Sequence, residues 1–127
     1  MRRLLPLFLI LLCMACHNEA DTYTSQSARA AAERYYAALM AGDYETFVDA
    51  MERDSMPADY RQENIDMVAQ YADLMGYKGG MLAVNSTRDS LYADSLAYVF
   101  LDITFGDSTH EEILVPLVLQ DKKWRMK

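Results

Sequence analysis

The sequence is poor in cysteine, histidine and positive charge. Its two cysteines, Cys13 and Cys16, both lie near the start of the 127-residue chain. The rest therefore has no thiol for a disulfide, a cysteine nucleophile or a cysteine-ligated zinc. There are two histidines, and 12 Lys and Arg stand against 19 Asp and Glu. Because phosphate backbones are bound by clustered Lys and Arg, nucleic acid is not expected as a partner.

Long apolar runs and common catalytic motifs are also missing. The apolar stretch at residues 4–12, LLPLFLILL, is about half the ~20 residues that a membrane span needs. There is no Gly-x-Ser-x-Gly elbow and no glycine-rich phosphate loop. His110-Glu111-Glu112, near Asp107, offers too few converging ligands for a metal and is expected to be a charged hairpin end. We expect no metal and no other cofactor.

The N-terminal residues have the layout of a secretory signal peptide. Arg2-Arg3 precede the apolar run, and small residues follow it. Cys13-Met14-Ala15-Cys16 resembles a bacterial lipobox, in which a small residue such as Ala15 precedes the cut. The resemblance implies that Cys16 becomes the new N-terminus and carries diacylglycerol and a further acyl chain such as palmitate. Several such chains anchor a protein stably.

This reading divides the chain into three parts. We predict a signal peptide at residues 1–15, a polar lipidated stem at 16–26, and one α+β domain at 27–127. The alternatives are ordinary secretion with Cys16 as a spare thiol, or an uncleaved chain with a Cys13/Cys16 redox pair.

The charge balance bears on the location. Loss of Arg2 and Arg3 leaves 10 basic residues against 19 acidic ones, a net charge of −9. An anionic bilayer is expected to repel this body, so the acyl chains alone would hold it. Glu19 and Asp21 partly match an acidic signal that exports lipoproteins to the Gram-negative cell surface, and a solvated linker explains them equally well. We expect a bacterial cell-envelope protein, anchored at the outer membrane.

Three helices are predicted first in the domain. The run SARAAAERYYAALMAG has apolar residues at helical spacing and ends at Gly42. Asp43 then suits the N-cap of a short second helix. Ser55-Met56-Pro57 supplies a start signal for a third, with Pro57 at its first position, and its apolar stripe runs to Gly76.

From Gly79-Gly80 onward the apolar period is two. This predicts strands at residues 81–88 and within 91–105, separated by a turn at Asp89-Ser90. A third strand at 110–120 and a short last strand with Trp124 and Met126 follow. Helices grouped before an antiparallel meander indicate an α+β fold, with three N-terminal helices packed on a curved four-stranded antiparallel sheet.

Two segments carry a family resemblance. YYAALMAGDYETFVDAM and LVLQDKKWRMK are similar to the nuclear transport factor two-like superfamily, a cone-shaped, cystatin-like fold, and to its small bacterial lipoproteins with a domain of unknown function. The resemblance covers about residues 27–127. It implies a pocket between helices and sheet, in which some relatives act as isomerases or dehydratases and others only bind ligands or form dimers. Fold alone does not choose among these.

The register of the long middle strand decides which side chains face that pocket. If the odd-numbered, mostly aliphatic residues face the helices, the wall is dry and carries no acid or base; these residues are Ala97, Val99, Leu101, Ile103 and Phe105. The opposite register would bring in Asp102 as a general base, with Tyr98 or Tyr35 as hydrogen-bond donor. The clean aliphatic alternation favours the first register.

With that register, the predicted ligand pocket contains Tyr35, Asn64, Tyr71, Val99 and Leu101. Asn64 is either a polar group of the pocket or a residue at the edge of the third helix's stripe, with Ile65 inward. The second reading is favoured.

The outward side chains would form an apolar patch, which we expect to be an interface for a homodimer or an envelope protein unless loops shade it. These residues are Leu96, Tyr98, Phe100, Leu114 and Val118.

Three function hypotheses follow. The favoured one is a lipid-anchored, non-catalytic binding or interaction module of the cell envelope, using the pocket for a small apolar ligand or the outer patch for a partner. The second is an isomerase- or dehydratase-like enzyme with Asp102 and a tyrosine. The third is a structural homodimeric envelope subunit.

The anchor prediction is tested by metabolic labelling with palmitate. Label should enter the wild-type chain and be lost on Cys16→Ser, because the only acylated thiol is then gone. Cys13→Ser is the matched control and should retain the label. Equal labelling of the two variants would mean that Cys16 is not the attachment site.

Overall fold

The computed structural model describes residues 25–52 and 57–127, so the predicted signal peptide, the predicted stem up to residue 24 and Cys16 lie outside the described residues. No helix within the described ranges is long and apolar enough to cross a membrane. The elements are α1 (Ser25–Met40), α2 (Tyr44–Asp49), α3 (Arg61–Leu74), β1 (Met81–Tyr92), β2 (Leu96–Phe105), β3 (His110–Gln120) and β4 (Lys123–Met126), with 3₁₀ turns at Ala58–Tyr60 and Met75–Lys78.

The joint between α1 and α2 follows the sequence signals. Gly42 has a φ of +83°, and its N–H and that of Asp43 donate to Leu39 and Ala38, which is the Schellman arrangement that ends a helix. The Asp43 carboxylate then accepts from the Thr46 N–H at 3.3 Å and caps α2. The two helices therefore meet with almost no loop between them.

The third helix starts later than predicted. Tyr60 N–H donates to Pro57 O, which makes a 3₁₀ turn before α3, so Pro57 is not the first residue of α3. At the other end the chain passes Gly76 in a second 3₁₀ turn and reverses at Gly79, whose φ is +83°. Ile65 is buried and takes the inward place beside Asn64.

The sheet is an antiparallel meander in the order β1-β2-β3-β4, which confirms the α+β prediction. The prediction of a turn at Asp89-Ser90 is wrong, because β1 continues to Tyr92 and the reversal uses Ala93 and Asp94, both at positive φ. Asp89 stays in the strand, where its carboxylate lies 3.5 Å from the Arg29 guanidinium of α1. Register shifts in β1 mark bulges, which bend this edge strand.

The core lies between α1 and the concave face of the sheet. Odd-numbered residues of β2 are buried throughout, and even-numbered ones are half-exposed, so the favoured register is confirmed. Ala28, Ala31 and Ala32 of α1 are at most 2% exposed, and their small side chains let the helix sit close to the sheet. Residues that follow α2 also pair with the last strand, as Met126 N–H donates to Ala50 O.

Helix α3 is fixed by contacts at its two ends and by the buried side chain of Ile65 between them. At its start, Arg61 donates two hydrogen bonds to the Asp49 carboxylate of α2, at 2.7 and 2.9 Å, and the pKa of Asp49 falls as a result. Beyond its end, Gly79 packs on Gly106 of the β2–β3 hairpin, where Gly106 N–H donates to Gly80 O. We call this contact the glycine clip. Between these points α3 makes few contacts with the sheet.

The glycine clip predicts a sharp steric effect. A Cβ on Gly106 would overlap the Gly79 carbonyl, whose carbon lies only 2.9 Å from the ideal Cβ position, so Gly106→Ala should lower the free energy of unfolding by about 1–3 kcal/mol. Gly76→Ala is the matched control, because its Cβ would meet nothing within 4 Å. Urea unfolding measures both, and equal stability of the two variants would contradict the clip.

Candidate functional site: the cavity under α3

A cavity of about 390 Å³ lies under α3, between this helix and the concave sheet. Its size falls in the range of small-molecule sites. Side chains from all three helices and from β1, β2 and β3 line it: Tyr36, Leu39, Phe47, Met67, Val68, Tyr71, Met75, Met81, Ile103, Phe105, Glu111, Ile113 and Leu114. The lining is predominantly apolar, so the cavity favours an apolar occupant.

Two tyrosines supply the phenol groups of this lining. Tyr36 packs edge to face on Phe47, with ring centroids 5.2 Å apart. Burial, and secondarily the neighbouring Tyr71 hydroxyl, raise the pKa of Tyr36 to about 12, so this phenol keeps its proton and can donate. No described residue makes a hydrogen bond to the Tyr36 hydroxyl. That donor is therefore free for a ligand.

The charged group of the lining is Glu111, at the end of the cavity near the glycine clip. The ammonium of Lys78 lies 3.6 Å from the Glu111 carboxylate and 4.7 Å from the centre of the Phe105 ring. The ion pair is partly exposed, as nearly half of the Glu111 side chain meets solvent. A carboxylate at this position disfavours an anionic ligand.

The exposed apolar side chains of α3 mark the mouth. Met67, Tyr71 and Leu74 follow one another at helical spacing and are 61%, 52% and 66% exposed. Met67 and Tyr71 also line the cavity, and Leu114 of β3 contributes to the lining while about half of it is exposed. An apolar rim thus continues from the interior onto the surface.

Of the five side chains predicted to line the pocket, the structure places Tyr71 there. Val99 and Leu101 are fully buried and do not line the cavity, because they lie where α1 covers the sheet. Tyr35 is also buried outside the cavity, and its hydroxyl donates a hydrogen bond to the Trp124 carbonyl. Asn64 is bound to its own helix through the Tyr60 carbonyl, at 2.9 Å, so it lies at the edge of the stripe.

The residues of the catalytic alternative are not brought together. Asp102 lies on the outer face, where its carboxylate is 3.1 Å from His110 Nδ1. Tyr98 is also on that face and packs on Tyr92, with ring centroids 5.5 Å apart. Tyr35 is buried on the opposite side of the sheet. No group of three or more His, Cys, Asp or Glu that could hold a metal occurs in the described part of the chain.

The predicted outer patch is partly covered by its own sheet. Arg88 lies over the Phe100 ring, 4.0 Å from its centre, and bonds Glu112 at 3.1 Å. Leu96, Tyr98, Phe100 and Val118 are half-buried, and Leu114 is exposed. Side chains of β1 thus cover part of this patch and reduce its exposed apolar area. That the patch is an interface remains a prediction.

Comparison with solved structures gives the fold. A crystal structure described as an NTF2-like transpeptidase from Campylobacter jejuni superposes with a TM-score of 0.62 at 17% identity, covering 75% of this chain and 92% of that one. The chain has the NTF2-like fold. No protein-family model matches it, and no curated protein matches its sequence. The resemblance seen in the sequence is therefore confirmed at the level of fold.

Some lining residues of the cavity are not evident from the sequence pattern. The apolar stripe predicted for α1 passes through Tyr35, and only the packing shows that the neighbouring Tyr36 faces the cavity. Glu111 looks, in the sequence, like part of a charged hairpin. Its place opposite Ile103 in the β2–β3 register, on the odd-numbered inward side, was the signal that could have found it.

The raised pKa of Tyr36 predicts an alkaline loss of stability. In the native chain this phenol ionises near pH 12, whereas in the unfolded chain it ionises near 10. The unfolded state therefore loses its proton first, and wild type should lose about 2 kcal/mol more stability than Tyr36→Phe as the pH rises from 10 to 12. Urea unfolding across this window checks it, and parallel curves would contradict a buried phenol.

Proposed function

We propose that this chain is a lipid-anchored, non-catalytic binding module of the bacterial cell envelope, which takes an uncharged apolar ligand into the cavity under α3. The observation that carries the proposal is a largely apolar cavity that contains a protonated phenol, to which no residue in the described ranges makes a hydrogen bond. The anchor is the acylated Cys16 at the outer membrane. The NTF2-like fold is compatible with binding, and it does not choose the ligand.

The ligand class follows from the lining. Burial of apolar ligand surface against Leu39, Phe47 and Val68 supplies the driving force, at roughly 25 cal/mol per Å². The Tyr36 hydroxyl supplies direction, because it can donate to a carbonyl, ether or hydroxyl oxygen of the ligand. Glu111 disfavours a ligand carboxylate or phosphate in the cavity. A flat or flexible neutral molecule with one oxygen acceptor meets these conditions.

The enzyme alternative lacks its main residue. Asp102 is on the outer face, so an isomerase- or dehydratase-like mechanism would have to use Glu111 instead. Glu111 is half-exposed and bound to Lys78, whereas the catalytic use of a carboxylate usually needs an apolar surround that favours its protonated form. These contacts favour binding over catalysis.

The homodimer or protein partner proposed for the outer patch is compatible with this function. Leu114 links the outer face to the cavity mouth, so an occupied interface would sit beside the ligand entrance.

Binding can be tested with Nile red, a neutral aromatic dye with a carbonyl acceptor. Its fluorescence should rise on addition of the protein, since it enters the apolar cavity. Tyr36→Phe should weaken its affinity about fivefold, as expected for the loss of one hydrogen bond of about 1 kcal/mol. Val68→Trp should abolish binding, because the larger side chain fills the space under α3.

Tyr77→Phe is the matched control, because Tyr77 is 76% exposed and does not line the cavity. It should bind like wild type. Nile red binding that is unaffected by Val68→Trp would locate the dye elsewhere and contradict the proposal.

A further inference from the structure

The described basic residues are of two kinds, those with an ionic partner and those without. Four of the nine Lys and Arg in residues 25–52 and 57–127 make ion pairs with carboxylates: Arg29, Arg61, Lys78 and Arg88. Arg125 is buried and donates to the Asp49 carbonyl. Of the described cations that remain, Arg34, Lys122 and Lys123 precede the C-terminal residue, are exposed and make no ion pair with any described carboxylate.

These three cations lie together. A groove of about 220 Å³ between α1 and the β3–β4 turn is lined by Arg34, Lys122 and Lys123, together with Ser27, Ala30, Ala31 and Trp124. We call it the basic groove. Its lining contains no acidic side chain, although the net charge of the chain is −7. The groove thus brings three cations together on an acidic molecule.

Trp124 and two alanines of α1 shape the basic groove. Trp124 Nε1 donates to Ser27 Oγ at 3.0 Å, which fixes the indole between helix and strand. Ala30 and Ala31 are small, so they leave room beside the Arg34 guanidinium. Glu33, the neighbouring carboxylate on α1, accepts from Ser86 of β1 and is thereby directed away from the groove.

The groove also lies at the end of the domain where the chain enters. Ser27 is in the first turn of α1, which begins at Ser25. The proposed acylated Cys16 is nine residues before Ser25, and nine extended residues span at most about 30 Å. A tether of this length keeps the first turn of α1, and with it the groove, close to the membrane surface.

We propose that the basic groove docks on the phosphate groups of anionic phospholipids and so orients the tethered domain on its membrane. This inference rests on the proposed lipid anchor and adds a second, electrostatic contact to it. Net charge alone predicts repulsion from an anionic bilayer. However, the Debye length is about 8 Å at physiological salt. Salt therefore screens the repulsion between the lipid phosphates and the distant carboxylates of the protein more than it screens the attraction between the phosphates and the nearby cations of the groove.

Lysine footprinting on the anchored full chain tests this proposal. The chain is reconstituted in vesicles of phosphatidylcholine, with or without phosphatidylglycerol, and its lysines are acetylated and quantified by mass spectrometry. Acetylation of Lys122 and Lys123 should slow about fivefold in the anionic vesicles, as expected for ~1 kcal/mol per basic residue at an anionic surface. Lys78 is the internal control, and its rate should not change.

A pair of variants with the same change in net charge sharpens the test. Arg34→Gln removes one cation of the groove but keeps both reporter lysines, so it should reduce their protection. Gln70→Glu changes the charge by the same amount on the exposed side of α3 and should leave the protection intact. Higher salt should remove the protection in wild type.

The outcomes separate the groove from the anchor. If the chain sediments with both kinds of vesicle but all lysines react equally in both, the groove proposal is overturned and the anchor stands. If the chain sediments with neither, the anchor fails and the groove proposal fails with it. Equal protection by free glycerol phosphate in neutral vesicles would assign the groove to a soluble phosphate and overturn the membrane contact.

Discussion

The close approach of Gly79 to Gly106 is the constraint on which the candidate site depends. Two residues without a Cβ let the turn after α3 touch the β2–β3 hairpin, and backbone hydrogen bonds secure the contact. The Arg61–Asp49 ion pair joins the other end of α3 to α2, so α3 spans the concave face between α2 and the hairpin. The cavity is the space that remains under α3, so its volume depends on where the two ends of the helix are fixed as well as on the residues that line it.

The sheet register gives the two faces of the molecule different chemistry. Inward positions of β2 are aliphatic, and outward positions carry Asp102, Tyr98 and the Arg88-covered Phe100. Asp102 is thereby separated from Tyr35 by the thickness of the sheet, and Tyr98 shares the outer face with Asp102, away from the cavity. The phenol in the cavity, Tyr36, instead comes from α1, and burial raises its pKa to about 12. A site of this kind is suited to recognising a neutral ligand.

The cations of the domain are divided between ion pairs and the basic groove. Four of the nine described cations are paired with carboxylates on neighbouring elements, as Lys78 is with Glu111. Three others, which pair with no described carboxylate, line one groove beside the start of α1. A body of this kind can be strongly acidic overall and still present one positive surface. The position of the basic groove relative to the tether, and not the net charge of the chain, would then decide how the domain is oriented on a membrane.

The sequence by itself determined the local elements and the faces of the strands. Gly42 and Asp43 specified the helix joint, and the alternation along β2 specified what is buried, since these signals act between residues close in the chain. Only the tertiary structure decided that Asp89 stays within β1, where its carboxylate lies near the Arg29 guanidinium, and that Tyr36 rather than Tyr35 lines the cavity. It also decided that Arg34 lines one groove with Lys122 and Lys123. Each of these outcomes depends on how far α1 and α3 stand from the sheet, and that distance is set by packing between segments remote in sequence.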